Sequence, residues 1–207
     1  ECRQDLGRDF TVLEQVLDRV ADPRPLRLGV HAEALVQRQV GGAIDVELTD
    51  TLQVLDHRDS GTLGDRAIEV IATSFLGATH VARGEFSNAA TLLERNVALE
   101  GDLRHQRFGS PVIQWVLSSA NLAEMLSLLG RFDEAIEHAE AAVQIAEAAD
   151  HPFTLYFGLR ALGVVHLRRG DLLRAIPVLE RGHDLCRTWH FVFGTPLLAA
   201  PLGAAYT

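Results

Sequence analysis

Near the carboxy terminus, His183, Cys186 and His190 are spaced i, i+3 and i+7. On one continuous helix they would share a face, and imidazoles with a thiolate are a zinc-type donor set. No fourth ligand is indicated, and the helix is expected to fray near Thr188. A buried cysteine also behaves as a small hydrophobe, so no metal is expected. Phosphate chemistry is excluded more firmly. A phosphate loop needs a Gly-rich stretch ending in Lys-Ser/Thr, and the chain has no lysine. No Ser, Cys or Asp stands in a recognisable nucleophile setting. The reading is therefore a non-catalytic chain without a cofactor.

Composition narrows the partners. A net charge of −9 argues against a nucleic-acid surface, which is basic. Apolar runs are broken by Arg, Glu or His before the ~18 residues a membrane span needs. The two cysteines, Cys2 and Cys186, suggest no disulfide framework, so a reducing cytoplasm is the expected compartment. The chain opens on Glu1 and ends at Thr207 inside an apolar pattern. It reads as a piece of a longer protein.

The elements come from one repeated phrase. Gly84-Glu85-Phe86-Ser87-Asn88-Ala89-Ala90 returns as Gly130-Arg131-Phe132-Asp133-Glu134-Ala135-Ile136. It returns again as Gly170-Asp171-Leu172-Leu173-Arg174-Ala175-Ile176. Each copy ends one apolar helical run and opens another, the signature of stacked helix hairpins. Glycine lets the chain leave a helix in a left-handed turn, and the alanine five residues later lets paired helices approach. The first helix of each pair (A) is expected near 66–83, 111–129 and 152–169. The second (B) is expected near 86–100, 132–149 and 172–188. Ser110-Pro111 is expected to open the second A helix as N-cap and first-turn proline, with Pro152 and Thr195-Pro196 opening those that follow. Pro177 and Pro201 are expected to kink their helices.

The fold reading is all-α: a right-handed superhelical solenoid of antiparallel helix hairpins, spanning 1–207 as a single repeat domain. Residues 1–60 form a degenerate helical start, with a helix near 8–21 and a worn pair about Gly41-Gly42. Residues 61–195 hold three clear repeats, and 196–207 a truncated further one. Leu197, Leu198, Leu202 and Tyr206 of that last piece should cap the preceding hairpin or meet another molecule, which makes a homodimer possible.

These residues resemble tetratricopeptide repeats. A leucine-small pair precedes each turn glycine: Leu76-Gly77, Leu122-Ala123 and Leu162-Gly163. The site four before the glycine holds His80, Leu126 and His166. The histidines, replacing a ring, are expected as half-buried packing residues. The spacing departs from the repeat's typical period of about 34 residues. Gly84 to Gly130 is 46 and Gly130 to Gly170 is 40, which implies longer helices and loops. Leu93-Glu94-Arg95-Asn96, Asp150-His151-Pro152-Phe153 and Gly170-Asp171-Leu172 through Pro177 are similar to the carboxy-terminal repeat regions of large bacterial signalling ATPases of the adenylate/guanylate cyclase or LuxR type. No cyclase or ATPase motif occurs in this chain.

The resemblance implies a concave binding face on the A helices. In repeat order it should present Ile71, Ser74 and Ala78, then Leu117, Asn121 and Glu124, then Arg160 and Val164. Ser74, Asn121, Glu124 and Arg160 are the candidate groove residues. Asn121 and Arg160 match two places of a clamp that grips a peptide carboxy terminus. Ala78 and Val164 stand where that clamp wants polar groups. Asn121 could equally bond to backbone, and Arg160 could pair with Glu124. The functional expectation is a protein-interaction or regulatory scaffold whose partner is a protein, a peptide or another domain of the parent chain. An effector-sensing domain and a structural spacer or dimerisation module are the alternatives.

Overall fold

The computed structural model describes residues 63–108 and 110–207; the expected helix near 8–21 and the pair about Gly41-Gly42 lie outside them. Among the described residues seven α-helices follow in order: α1 Leu63–Ala82, α2 Phe86–Val97, α3 Gln114–Leu128, α4 Phe132–Ala148, α5 Pro152–Arg169, α6 Leu172–Thr188 and α7 Gly194–Ala205. A 3-10 turn, Gly101–His105, sits between α2 and α3. There is no strand among the described residues.

The repeated phrase does what its residue types require. Gly84, Gly130 and Gly170 have φ of 75°, 78° and 83°, the left-handed region where a side chain is strained. The residue after each glycine donates its N–H back to the helix it leaves: Glu85 to His80, Arg131 to Leu126 and Asp171 to His166, at 2.8 to 2.9 Å. Ala89, Ala135 and Ala175 are fully buried, so A and B meet at a methyl.

Curvature follows from which helices touch. α1 packs on α3, α3 on α5 and α5 on α7, whereas α2–α4 and α4–α6 make at most marginal contact. The closely spaced row, the A helices, must lie on the inside of the curve. Across the outer row, Arg181 on α6 reaches Glu147 on α4 at 2.6 Å.

Two expectations are corrected. Helix α3 begins at Gln114, not at Pro111. Hydrogen bonds hold Ile113 extended ahead of the helix. Ile113 N donates to Thr154 Oγ1 at 3.2 Å, and Gln114 N to the Gln106 carbonyl at 3.3 Å. Ser110 Oγ instead accepts from Val112 N in a local turn. The B helix of the first repeat ends at Val97, not near 100. The long first period therefore comes from the connection, which is a packed element. Leu99, Leu103, Phe108 and Ile113 join the core around Trp115. Trp115 Nε1 donates to the Val97 carbonyl at 2.9 Å, and Arg104 lies 4.2 Å over its ring. The 40-residue second period comes from long helices instead. Helices α6 and α7 run unbroken through Pro177 and Pro201.

The last piece caps the stack. Leu198 is fully buried against α5 and α6, and Leu202 packs beside it. Leu197 and Tyr206 remain exposed, and the Tyr206 hydroxyl donates to Glu180 Oε1.

Candidate functional site: the inner face of the A helices

The position ten residues before each turn glycine decides the floor of the groove. It holds Ser74, Ala120 and Arg160. The site lies on the seam between neighbouring A helices, so a short side chain there is covered. Ala120 is fully buried and Ser74 is 6% exposed. Ser74 is thus corrected from a groove candidate to an interior residue. Its hydroxyl donates to the Val70 carbonyl at 3.0 Å and lies 3.1 Å from both Gln114 Oε1 and Ser118 Oγ. Asn96 closes this knot from α2. Its Nδ2 stands 2.8 Å from the Val70 carbonyl, 3.0 Å from Ser74 Oγ and 3.1 Å from Ser118 Oγ. Ala142 and Gly182 occupy the place of Asn96 in the two following described repeats, so no side chain there can close such a knot between neighbouring A helices.

Arg160 is long enough to leave the seam. Its Nη1 donates to Glu124 Oε2 at 3.2 Å, and Nη2 stands 2.7 Å from Oε1, an ion-pair contact off the hydrogen-bond line. Both side chains are largely buried, at 18% and 11% exposed, so water screens the pair little. The pair links α5 to α3 across the inner face, and its own two charges cancel. Arg168, two turns further on, donates to the Glu124 carbonyl at 3.0 Å and to Ser127 Oγ at 2.8 Å, riveting the same two helices. Asn121 is half-buried, and its amide makes no hydrogen bond to a described residue. Ile71 and Val164 are buried, while Ala78 and Leu117 are half-buried.

One part of the face escapes a reading by repeat offset alone. Phe157 stands at the offset of Ile71 and Leu117, and Phe153 lies one turn before it. Phe153 meets Phe157, Phe191 and Phe193 edge to face, with ring centroids 5.3 to 5.6 Å apart. Tyr156 meets Phe157 and Phe193 in the same way. Such contacts are worth about 0.5–1.5 kcal/mol each beyond area burial. The four phenylalanines are only partly covered and form an aromatic wall at the amino-terminal end of α5. The i, i+4 pair Phe153/Phe157 is a sequence signal for it; Phe191 and Phe193 lie in a loop with no period to give them away.

Tyr156 itself is fully buried, and its hydroxyl has no hydrogen-bond partner among the described residues. Burial pushes its pKa up to about 12. Its ring packs where α7 starts. A methyl on Gly194 would lie 2.8 Å from Tyr156 Cε2 and 2.7 Å from Cys186 Sγ, so glycine is required for this closure. Burial likewise raises the Cys186 thiol to about 11, which keeps it protonated and unreactive.

The metal-type triad is not assembled. Cys186 is buried and His183 half-buried on α6, but His190 lies beyond the helix end with φ of 56°. No cluster of three potential metal ligands occurs among the described residues. His80 is half-buried, and its Nδ1 faces Glu85 Oε2. His166 is 3% exposed, more deeply buried than the expected half-burial, and its Nδ1 is unpartnered. Burial lowers its pKa.

With this geometry in place, comparison with protein families is specific. Models of the tetratricopeptide repeat match residues 70–95 and 114–188. The longer match starts on the first residue of α3 and ends on the last of α6, which is two whole hairpins. No curated protein matches the chain. No described helix is long and apolar enough to cross a membrane. The chain therefore carries a tetratricopeptide repeat domain, an all-α helical solenoid of a kind that generally serves protein–protein interaction.

Proposed function

We propose that the inner face of α3 and α5 binds an internal, uncharged segment of a protein partner or of another domain of the parent chain. The reading rests on one observation: Arg160 is neutralised by Glu124. A free guanidinium would seek a carboxylate. A paired one offers an anion little, because the incoming charge must displace Glu124 into a poorly screened site. Asn121 supplies an unspent amide donor and acceptor, the complement of a peptide group. Phe153 and Phe157 supply apolar area on α5.

In this reading the task of the repeat domain is to dock partners in a larger bacterial signalling protein of the cytoplasm. Resemblance of three segments to the repeat regions of signalling ATPases supports that setting, and the net charge of −9 disfavours nucleic acid as the partner. The face carries no catalytic role.

The test is Glu124→Gln, which frees the Arg160 charge. Peptides ending in an acidic carboxy terminus should gain affinity for the variant over the parent, while internal uncharged segments should not. If the parent already prefers the acidic terminus, the reading fails.

A further inference from the structure

Helix α5 is capped by a histidine ring. The chain turns sharply at Asp150 (φ of 46°), passes His151 in extended geometry, and enters the helix at Pro152. His151 Nδ1 accepts a hydrogen bond from Thr154 N at 3.2 Å, the place an Asp or Ser oxygen takes in an ordinary N-cap. Thr154 Oγ1 lies 2.7 Å from the same nitrogen. That hydroxyl is fully buried and already accepts the N–H of Ile113 at 3.2 Å. A backbone N–H can only donate, so the Thr154 N contact makes Nδ1 an acceptor, and the hydroxyl in turn directs its proton to Nδ1. Two donors converge on one ring nitrogen, so Nδ1 carries a lone pair and the ring is neutral with its proton on Nε2.

We propose that His151 is a proton-sensitive cap, which on acidification releases the first turn of α5 and the aromatic wall that turn carries. Protonation at Nδ1 removes the lone pair that caps Thr154 N, and the hydroxyl contact survives only if it reverses direction. Protonation also sets a positive charge at a helix amino terminus, where the dipole opposes it. The surrounding charges do not compensate. Arg107, in the connection before α3, opposes a charged ring. Glu147, at the end of α4, is engaged by Arg181. Burial and Arg107 accordingly hold the ring's pKa below its usual 6.5. The chain Ile113–Thr154–His151 also joins the starts of α3 and α5, so a reversed hydroxyl at Thr154 is felt at the seam between two repeats. Phe153 is the second residue of the released turn. Its contacts with Phe191 and Phe193 depend on that turn staying wound.

The experiment compares the parent with His151→Asn, which keeps an uncharged cap, and His151→Ala, which removes it. Amide exchange of Thr154, Leu155 and Tyr156, corrected for intrinsic rates, is followed from about pH 7.5 to 5.5, across the histidine range. Protection in the parent should fall about tenfold, the scale of an N-cap. It should stay level in His151→Asn and be low throughout in His151→Ala. Nitrogen shifts of the parent ring, which need no variant, should report the Nε2–H tautomer at neutral pH. An Nδ1–H ring, or parallel loss of protection in the parent and His151→Asn, overturns the proposal. The functional consequence rests on the groove reading and is measured separately. Peptide affinity should fall with pH in the parent and not in His151→Asn. If the cap titrates as described but peptide affinity does not follow, the groove reading fails and the cap stands.

Discussion

Gly163 on α5 faces Leu179 on α6 so closely that a methyl on the glycine would lie 2.5 Å from Leu179 Cδ2. The first repeat has the same pair, Gly77 against Leu93, with 2.9 Å to the nearest leucine carbon. In the middle repeat the two offsets hold Ala123 and Ala139, both fully buried. Each hairpin thus fills its crossing either with nothing and a leucine or with two methyls.

Gly163→Ala should therefore destabilise. Alanine gains about 1 kcal/mol of helix propensity over glycine. Overpacking a core that cannot relax costs about 1–3 kcal/mol, and Leu179 is fully buried. The contrast is Gly203→Ala on α7, where a methyl meets nothing within 4 Å. That change should stabilise by roughly 0.5–1 kcal/mol. Urea unfolding of both checks the opposite signs. Adding Leu179→Ala to Gly163→Ala recreates the middle repeat's pair and should cost less than the sum of the single changes.

Tyr156→Phe should leave stability unchanged or raise it by about 1 kcal/mol. An unpartnered buried hydroxyl carries a desolvation penalty of about 1–3 kcal/mol with no hydrogen bond to offset it, and removing it leaves the ring's edge contacts in place. Thermal unfolding of the variant decides this. A marked loss of stability would mean that the hydroxyl is bonded in solution.

Stability should fall on mild acidification. Burial lowers the pKa of His138, His151 and His166 below 6.5 in the folded chain. The unfolded chain therefore binds more protons in that range, and the stability these neutral rings provide is intact above pH 6.5 and lost as pH drops through their folded values. Unfolding free energies measured at about pH 7.5 and 5.5, on either side of the ordinary histidine value, should decrease. No change, or an increase, would place these rings in contact with water or with carboxylates.

Much of this fold is legible in the sequence because its signals are local. A glycine forced to positive φ, an alanine at a crossing and a proline at the first turn of α5 each leave a residue-type mark. What was not legible depends on contacts between repeats. The start of α3 shifts from Pro111 to Gln114 because Thr154, 41 residues away, binds the Ile113 amide. Ser74 and Arg160 share an offset, but side-chain length sends one inward and the other out to Glu124. By sequence Arg160 suits either a ligand or Glu124, and the packing of α3 on α5 pairs it with Glu124. The wall of Phe153, Phe157, Phe191 and Phe193 joins a helix to a loop, and no periodicity reports that.

The central claim is that the inner face of α3 and α5 is the docking surface. Its most direct measurement is calorimetric affinity for a peptide selected on the parent chain from a random library. Asn121→Ala and Phe157→Ala on the inner face are compared with Gln144→Ala, an exposed position on the outer helix α4. The inner-face changes should each weaken binding at least about tenfold, the loss of one central contact, while Gln144→Ala leaves it unchanged. Binding that is indifferent to Asn121 and Phe157, or lost on changing Gln144, would contradict the account.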